Sequence, residues 1–285
     1  NHNFGCTVEG NATIGGPNRI DLGEVYLQNN TLTKTGACQL CVRTIKTGGN
    51  IVINQGMYTL LGGPDGLGGT TPGDTVVNGG TLDMWGEGEI PERITFNGGN
   101  ISQGWGFGIY TGHITFNAAA SFYNSGNSEI RLQGLLDGPG PLIIVGNHIT
   151  LSSHQNHLAG PISIYQNGQL NIGTPGGTSG TFGSCTAVTN VGALCYDRAD
   201  SLTATNGFSG GMTSVRYGGE LVFDGGCYIT NMWIQIPNGS VTFKDAKMAA
   251  PFACIFVGTR NGYSFSPTNS AGTLNIRDGA DIALW

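Results

Sequence analysis

The chain has 285 residues, of which 39% are hydrophobic and only 11% charged, with 50 glycines and a formal net charge of −6. Sparse, net-negative charge without a Lys/Arg stripe argues against a nucleic-acid partner, and no apolar run approaches the ~18 residues of a membrane-spanning helix. A glycine share far above the usual ~7%, with few charges, describes short strands joined by tight turns rather than a disordered polyelectrolyte.

The chain opens Asn1-His2-Asn3 with no Met and no apolar leader. This reads as a processed N-terminus and predicts an exported, extracellular or cell-surface protein. Strand-like alternation follows at 50–54, 74–86, 93–103, 113–124, 129–136, 141–153, 214–226, 232–245 and 272–285. No window keeps the i, i+3, i+4, i+7 pattern of a helix without a glycine breaking it. Residues 160–173, "GPISIYQNGQLNIG", show the recurrent unit: two alternating strands around an Asn-Gly turn. Turn asparagines Asn78, Asn97 and Asn117 lie 19 and 20 residues apart. A period near twenty is the size of one β-solenoid coil, with Asn-Gly at the corners and stacked asparagines able to bond one another. The expected fold is therefore all-β, a single-stranded parallel β-helix of about twelve coils forming a single domain over 1–285. Residues 174–213 break the pattern and are expected to project as a long loop.

Cysteines divide into two close pairs and three isolated residues. Cys38 with Cys41 and Cys185 with Cys195 are the disulfide candidates, the second pair stapling the 174–213 loop. Cys6, Cys227 and Cys254 are candidate lone or intermolecular thiols. The C-x-x-C lacks both a βαβ context and a second matched pair, so redox and zinc readings are set aside.

Residues 135–173 resemble the autotransporter-associated β-strand repeat. Gly138, Gly140, Leu142, Gly146, Leu158, Gly160, Ile162, Asn167, Gly168 and Leu170 occupy its pattern, and 76–84 and 271–282 match its closing half. The resemblance implies a right-handed parallel β-helix on an exported bacterial surface protein. One departure from that family is that no translocator-barrel sequence follows in the chain.

Candidate chemistry is sparse. Asp197 and Asp200 flank Arg198 and could form an acid pair, but a local ion pair is the plainer reading. Asp278 and Asp281 belong to a turn. His148, His154 and His157 cluster without an acidic partner, and "GGPDGLGG" at 62–69 has its Asp too early for a calcium repeat. No catalytic residue, metal ligand or cofactor is expected, and the chain is not expected to be an enzyme. Trp105, Phe107 and Tyr110, alternating with glycine in "QGWGFGIY", and Trp285 are candidate glycan or subunit contacts. No capping unit is visible at either end, so the leading expectation is end-to-end assembly of copies into a filament or surface fibre. A secreted adhesin or carbohydrate-binding passenger is the alternative, and a polysaccharide-degrading enzyme comes third.

Overall fold

The computed structural model describes residues 5–68, 73–124, 128–146, 148–230, 232–250, 255–257, 260–261, 264–265, 272–278 and 280–284. Its strands pair in parallel and stack as β-solenoid turns, about twelve in all. Among the described residues the only helical element is a 3-10 turn, Gly63–Leu67, and the only antiparallel pair joins Arg260–Asn261 to Ser264–Phe265. The chain divides into two compact units, up to Ile149 and from Thr150.

In the first unit, one sheet stacks Gln39–Thr47, Met57–Leu60, Thr81–Trp85, Asn100–Trp105 and Ala120–Asn124. A second stacks Thr31–Lys34, Asn50–Ile53, Asp74–Val77, Arg93–Phe96 and Ile114–Phe116. A third joins Gly88–Ile90, Phe107–Tyr110 and Glu129–Leu132. Period-two alternation turns Leu40, Tyr58, Leu82, Ile101 and Phe122 inward in one register column, all fully buried. Phe96 and Phe116 stack one coil apart, with centroids 5.6 Å apart and planes at 10°.

The corner asparagines behave as the repeat predicts. Asn78 Nδ2 donates to Asn54 Oδ1 (2.8 Å), Asn97 to Asn78 (2.9 Å) and Asn117 to Asn97 (2.9 Å). Amides one coil apart thus satisfy one another where the backbone leaves the sheets.

In the second unit, residues 160–173 form a corner of a coil and not a hairpin. Ile162–Ile164 and Gln169–Gly177 lie in different sheets and do not pair with each other. Asn167 adopts φ 70°, and Gly168 N–H donates to the Tyr165 carbonyl (2.8 Å), so Asn-Gly forms a corner. The stretch 174–213 is not a projecting loop. Ala187–Asn190, Ala193–Arg198, Ser201–Ala204, Gly207–Ser209 and Met212–Val215 are strands held in parallel ladders. Val188, Leu194, Tyr196, Ala204 and Phe208 point inward and are buried. Gly and Ser at the turns mask this alternation in the sequence. Phe182, Phe208, Phe223 and Phe243 continue the interior as neighbouring rings 5.2–5.4 Å apart.

Candidate functional site

The site grows from a local exception to strand alternation. In Thr81–Trp85, Leu82 and Met84 point inward, so Trp85 points out. In Asn100–Trp105, Ile101 and Gln103 are buried, and strict alternation would bury Trp105 as well. The register shifts between Gln103 and Trp105, and this bulge turns Trp105 outward, directly opposite Trp85. Gly104 makes that possible: a Cβ there would stand 2.5 Å from Trp85 Nε1, so the indole lies across bare backbone. Gly106, at φ 79°, then turns the chain into Phe107–Tyr110, whose first side chain also faces out. The result is three exposed rings, Trp85 (38%), Trp105 (56%) and Phe107 (41%), where a soluble surface rarely gathers large apolar groups.

The rings are anchored from below. Asp83, two residues before Trp85 on the same face, is buried. It accepts from Thr59 Oγ1 (3.1 Å) and Ser102 Oγ and bonds Trp85. Burial pushes its carboxyl up, while those three hydrogen bonds pull it back. Thr59, Asp83 and Ser102 form one register column, so adjacent coils hold the support in place. Around the rings stand Glu87 and Glu89, both exposed, and Glu129, which faces Phe107 and is paired with Arg131 (3.1 Å). Flat faces beside hydroxyl-accepting carboxylates suit the C–H face and hydroxyls of a pyranose ring. The exposed carboxylates of Glu87 and Glu89 disfavour an anionic sugar.

No family model, curated protein or solved structure matches this chain.

Of the aromatic candidates, Trp105 and Phe107 are exposed, whereas Tyr110 is not a surface contact. It shares the inward parity of Gly108 and is fully buried. Trp285 lies outside the described residues. Trp85 escaped the sequence reading, although a signal existed: it stands twenty residues before Trp105, one coil period.

The cysteine pairings are corrected. Cys6, Cys38, Cys41, Cys185, Cys195 and Cys227 are all free thiols, and Cys254 lies outside the described residues. Cys41 faces outward between Asp21 and Thr59 in register, while Cys38 Sγ turns toward the Thr35 carbonyl (3.9 Å). Cys195 sits mid-strand in Ala193–Arg198, and Cys185 precedes Ala187–Asn190 in another sheet, so no short loop joins their side chains. Burial pushes the thiols of Cys41, Cys185 and Cys227 up to about 12 and that of Cys195 up to about 11.

The remaining candidates are separated by geometry. Arg216 grips Asp197 with two bonds of 2.6 Å, and Arg198 grips Asp200 at 2.7 and 2.6 Å. Each carboxylate therefore has its own guanidinium. Asp278 adopts φ 48° in a turn. His148, His154 and His157 are exposed, and among the described residues no three His, Cys, Asp or Glu side chains are placed to hold a metal ion.

Proposed function

We propose that this chain is a non-enzymatic, glycan-binding β-solenoid that takes a neutral hexose ring on the Trp85–Trp105–Phe107 platform. The observation that carries the reading is the bulge that turns Trp105 out opposite Trp85, over a glycine that leaves room for the ring. A fold built from one repeated coil gains nothing structurally by breaking its register to expose an indole, so the break points to a ligand. The platform's chemistry favours the carbohydrate-binding alternative over the filament, because its carboxylates match sugar hydroxyls. Such a module works where glycans are displayed, at or outside a cell surface. The resemblance of residues 135–173 to the autotransporter-associated repeat supports that setting. Free cysteines remove the disulfide argument for it.

The test is retention on immobilised neutral glycans, comparing the native chain with Trp105→Ala and Phe107→Ala. Retention that falls at least tenfold in both variants supports the platform. Retention of the native chain by none of the glycans, with fibres visible by electron microscopy, would return the protein to the structural-subunit reading.

A further inference from the structure

A groove on the second unit has no part in the platform. Ile162–Ile164, Ala187–Asn190, Gly207–Ser209 and Tyr228–Thr230 pair in parallel, coil upon coil. Their register sets Ser163, Thr189, Ser209 and Thr230 in one outward column. Beneath it Ile162, Val188, Phe208 and Ile229 fill the interior. Two open pockets lie along this column. One, of about 240 Å³, is lined by Ser163, Tyr165, Thr189 and Val191. The next, of about 210 Å³, is lined by Gly207, Ser209, Tyr228 and Thr230 among others. Ser209 Oγ lies 3.5 Å from Thr189 Oγ1, so the hydroxyl column passes from one pocket to the other. Tyr165 (55%) and Tyr228 (53%) stand exposed at the groove's sides. No charged side chain lines either pocket.

We infer that this groove binds a second glycan, an extended, uncharged chain lying across the coils. It shares a ligand class with the platform but uses none of its residues. Hydroxyl groups both donate and accept, as a sugar chain's own hydroxyls do. They recur here at the coil spacing of ~4.8 Å, close to the length of one pyranose residue in an extended polymer. Tyr165 and Tyr228 offer ring faces to the apolar faces of the sugars. A peptide strand is a poor occupant, because the groove lies on a sheet face whose backbone groups are already bonded between coils and offers no edge to augment. A charged ligand would find no counter-charge in the groove.

The test uses the full chain carrying Trp85→Ala and Trp105→Ala, so that the platform cannot contribute. Cellohexaose, mannohexaose and maltohexaose, with their disaccharides, are titrated calorimetrically. The expected result is that at least one hexaose binds, at least tenfold more tightly than its disaccharide. Adding Tyr165→Ala with Tyr228→Ala should weaken it at least tenfold, and Thr189→Val, which removes only a hydroxyl, should weaken it severalfold with an unchanged melting temperature. Failure of all three hexaoses to bind in this background, or binding indifferent to loss of both tyrosines, would overturn the inference and leave the platform reading untouched.

Discussion

Glu92 offers a perturbation whose size can be worked from its surroundings. It immediately precedes Arg93–Phe96 and is buried, 2% exposed. Its Oε1 accepts from Thr75 Oγ1 (2.9 Å) and its Oε2 from Gly73 N–H (3.0 Å). No cation is among the groups that shift it. Burial therefore dominates, with help from the Asp74 charge, and pushes the carboxyl up from 4.5 to about 7, the two hydrogen bonds opposing. A raised carboxyl means that the folded chain holds a proton the unfolded chain releases. Stability is then fully present below the unfolded value near 4.5 and falls as pH rises to about 7. Raising the carboxyl from 4.5 to about 7 corresponds to ~3 kcal/mol lost across that window. Glu92→Gln mimics the protonated form: its carbonyl can accept from Gly73 and its amide can donate to Thr75. The variant should match the native chain near pH 5 and exceed it by ~2–3 kcal/mol at pH 8. Urea unfolding of both proteins from pH 4.5 to 8.5 measures the difference, in which every other titrating group cancels. A difference independent of pH, or a variant weaker at pH 8, would refute the assignment of a desolvated carboxyl.

Other consequences follow from the same coils. Lys34 is fully buried, and its ammonium donates to the carbonyls of Thr35 (2.8 Å), Gly36 (2.8 Å) and Gln55 (2.9 Å). Lys34→Met should cost ~3 kcal/mol or more in unfolding free energy by leaving the Gly36 and Gln55 carbonyls without this donor and the Thr35 carbonyl with only the weak Cys38 thiol, and a neutral effect would contradict the cage. Asn97 both donates and accepts in the amide ladder, while Asn54 only accepts. Asn97→Ala should therefore destabilise by ~1–2 kcal/mol, about twice the effect of Asn54→Ala in the same denaturation assay. In a Cys254→Ser background, Ellman's reagent at pH 8 should modify Cys41, Cys185, Cys195 and Cys227 at least a hundredfold more slowly in the native chain than in urea. Equal rates would mean those thiols are not buried.

Much of the fold could be read from the residues because a solenoid repeats its own instructions. The twenty-residue spacing of Asn78, Asn97 and Asn117 implies both coil size and corner, and the amide ladder follows from it. The coils at 187–215 were hidden because glycine and serine interrupt their apolar alternation, so Val188 and Phe208 do not announce a shared column. The platform was half legible. Alternate glycines flag Trp105 and Phe107, but they wrongly bring in Tyr110, because parity continues past the corner and sends it inside. Trp85 joins only through inter-coil register, which a linear reading sees as a spacing of twenty and nothing more. Cysteine spacing misled for a related reason: neighbours in sequence fall on different faces of a coil.

The measurement that bears most directly on glycan binding is nuclear magnetic resonance of the chain labelled at its four tryptophan indoles, titrated with neutral hexasaccharides. Binding at the platform predicts that the Trp85 and Trp105 N–H signals shift together and saturably, with Trp233 unmoved, and that Trp105→Ala abolishes the shift at Trp85. Titrations that leave both signals in place, or that move only Trp233, would contradict the platform as a glycan site.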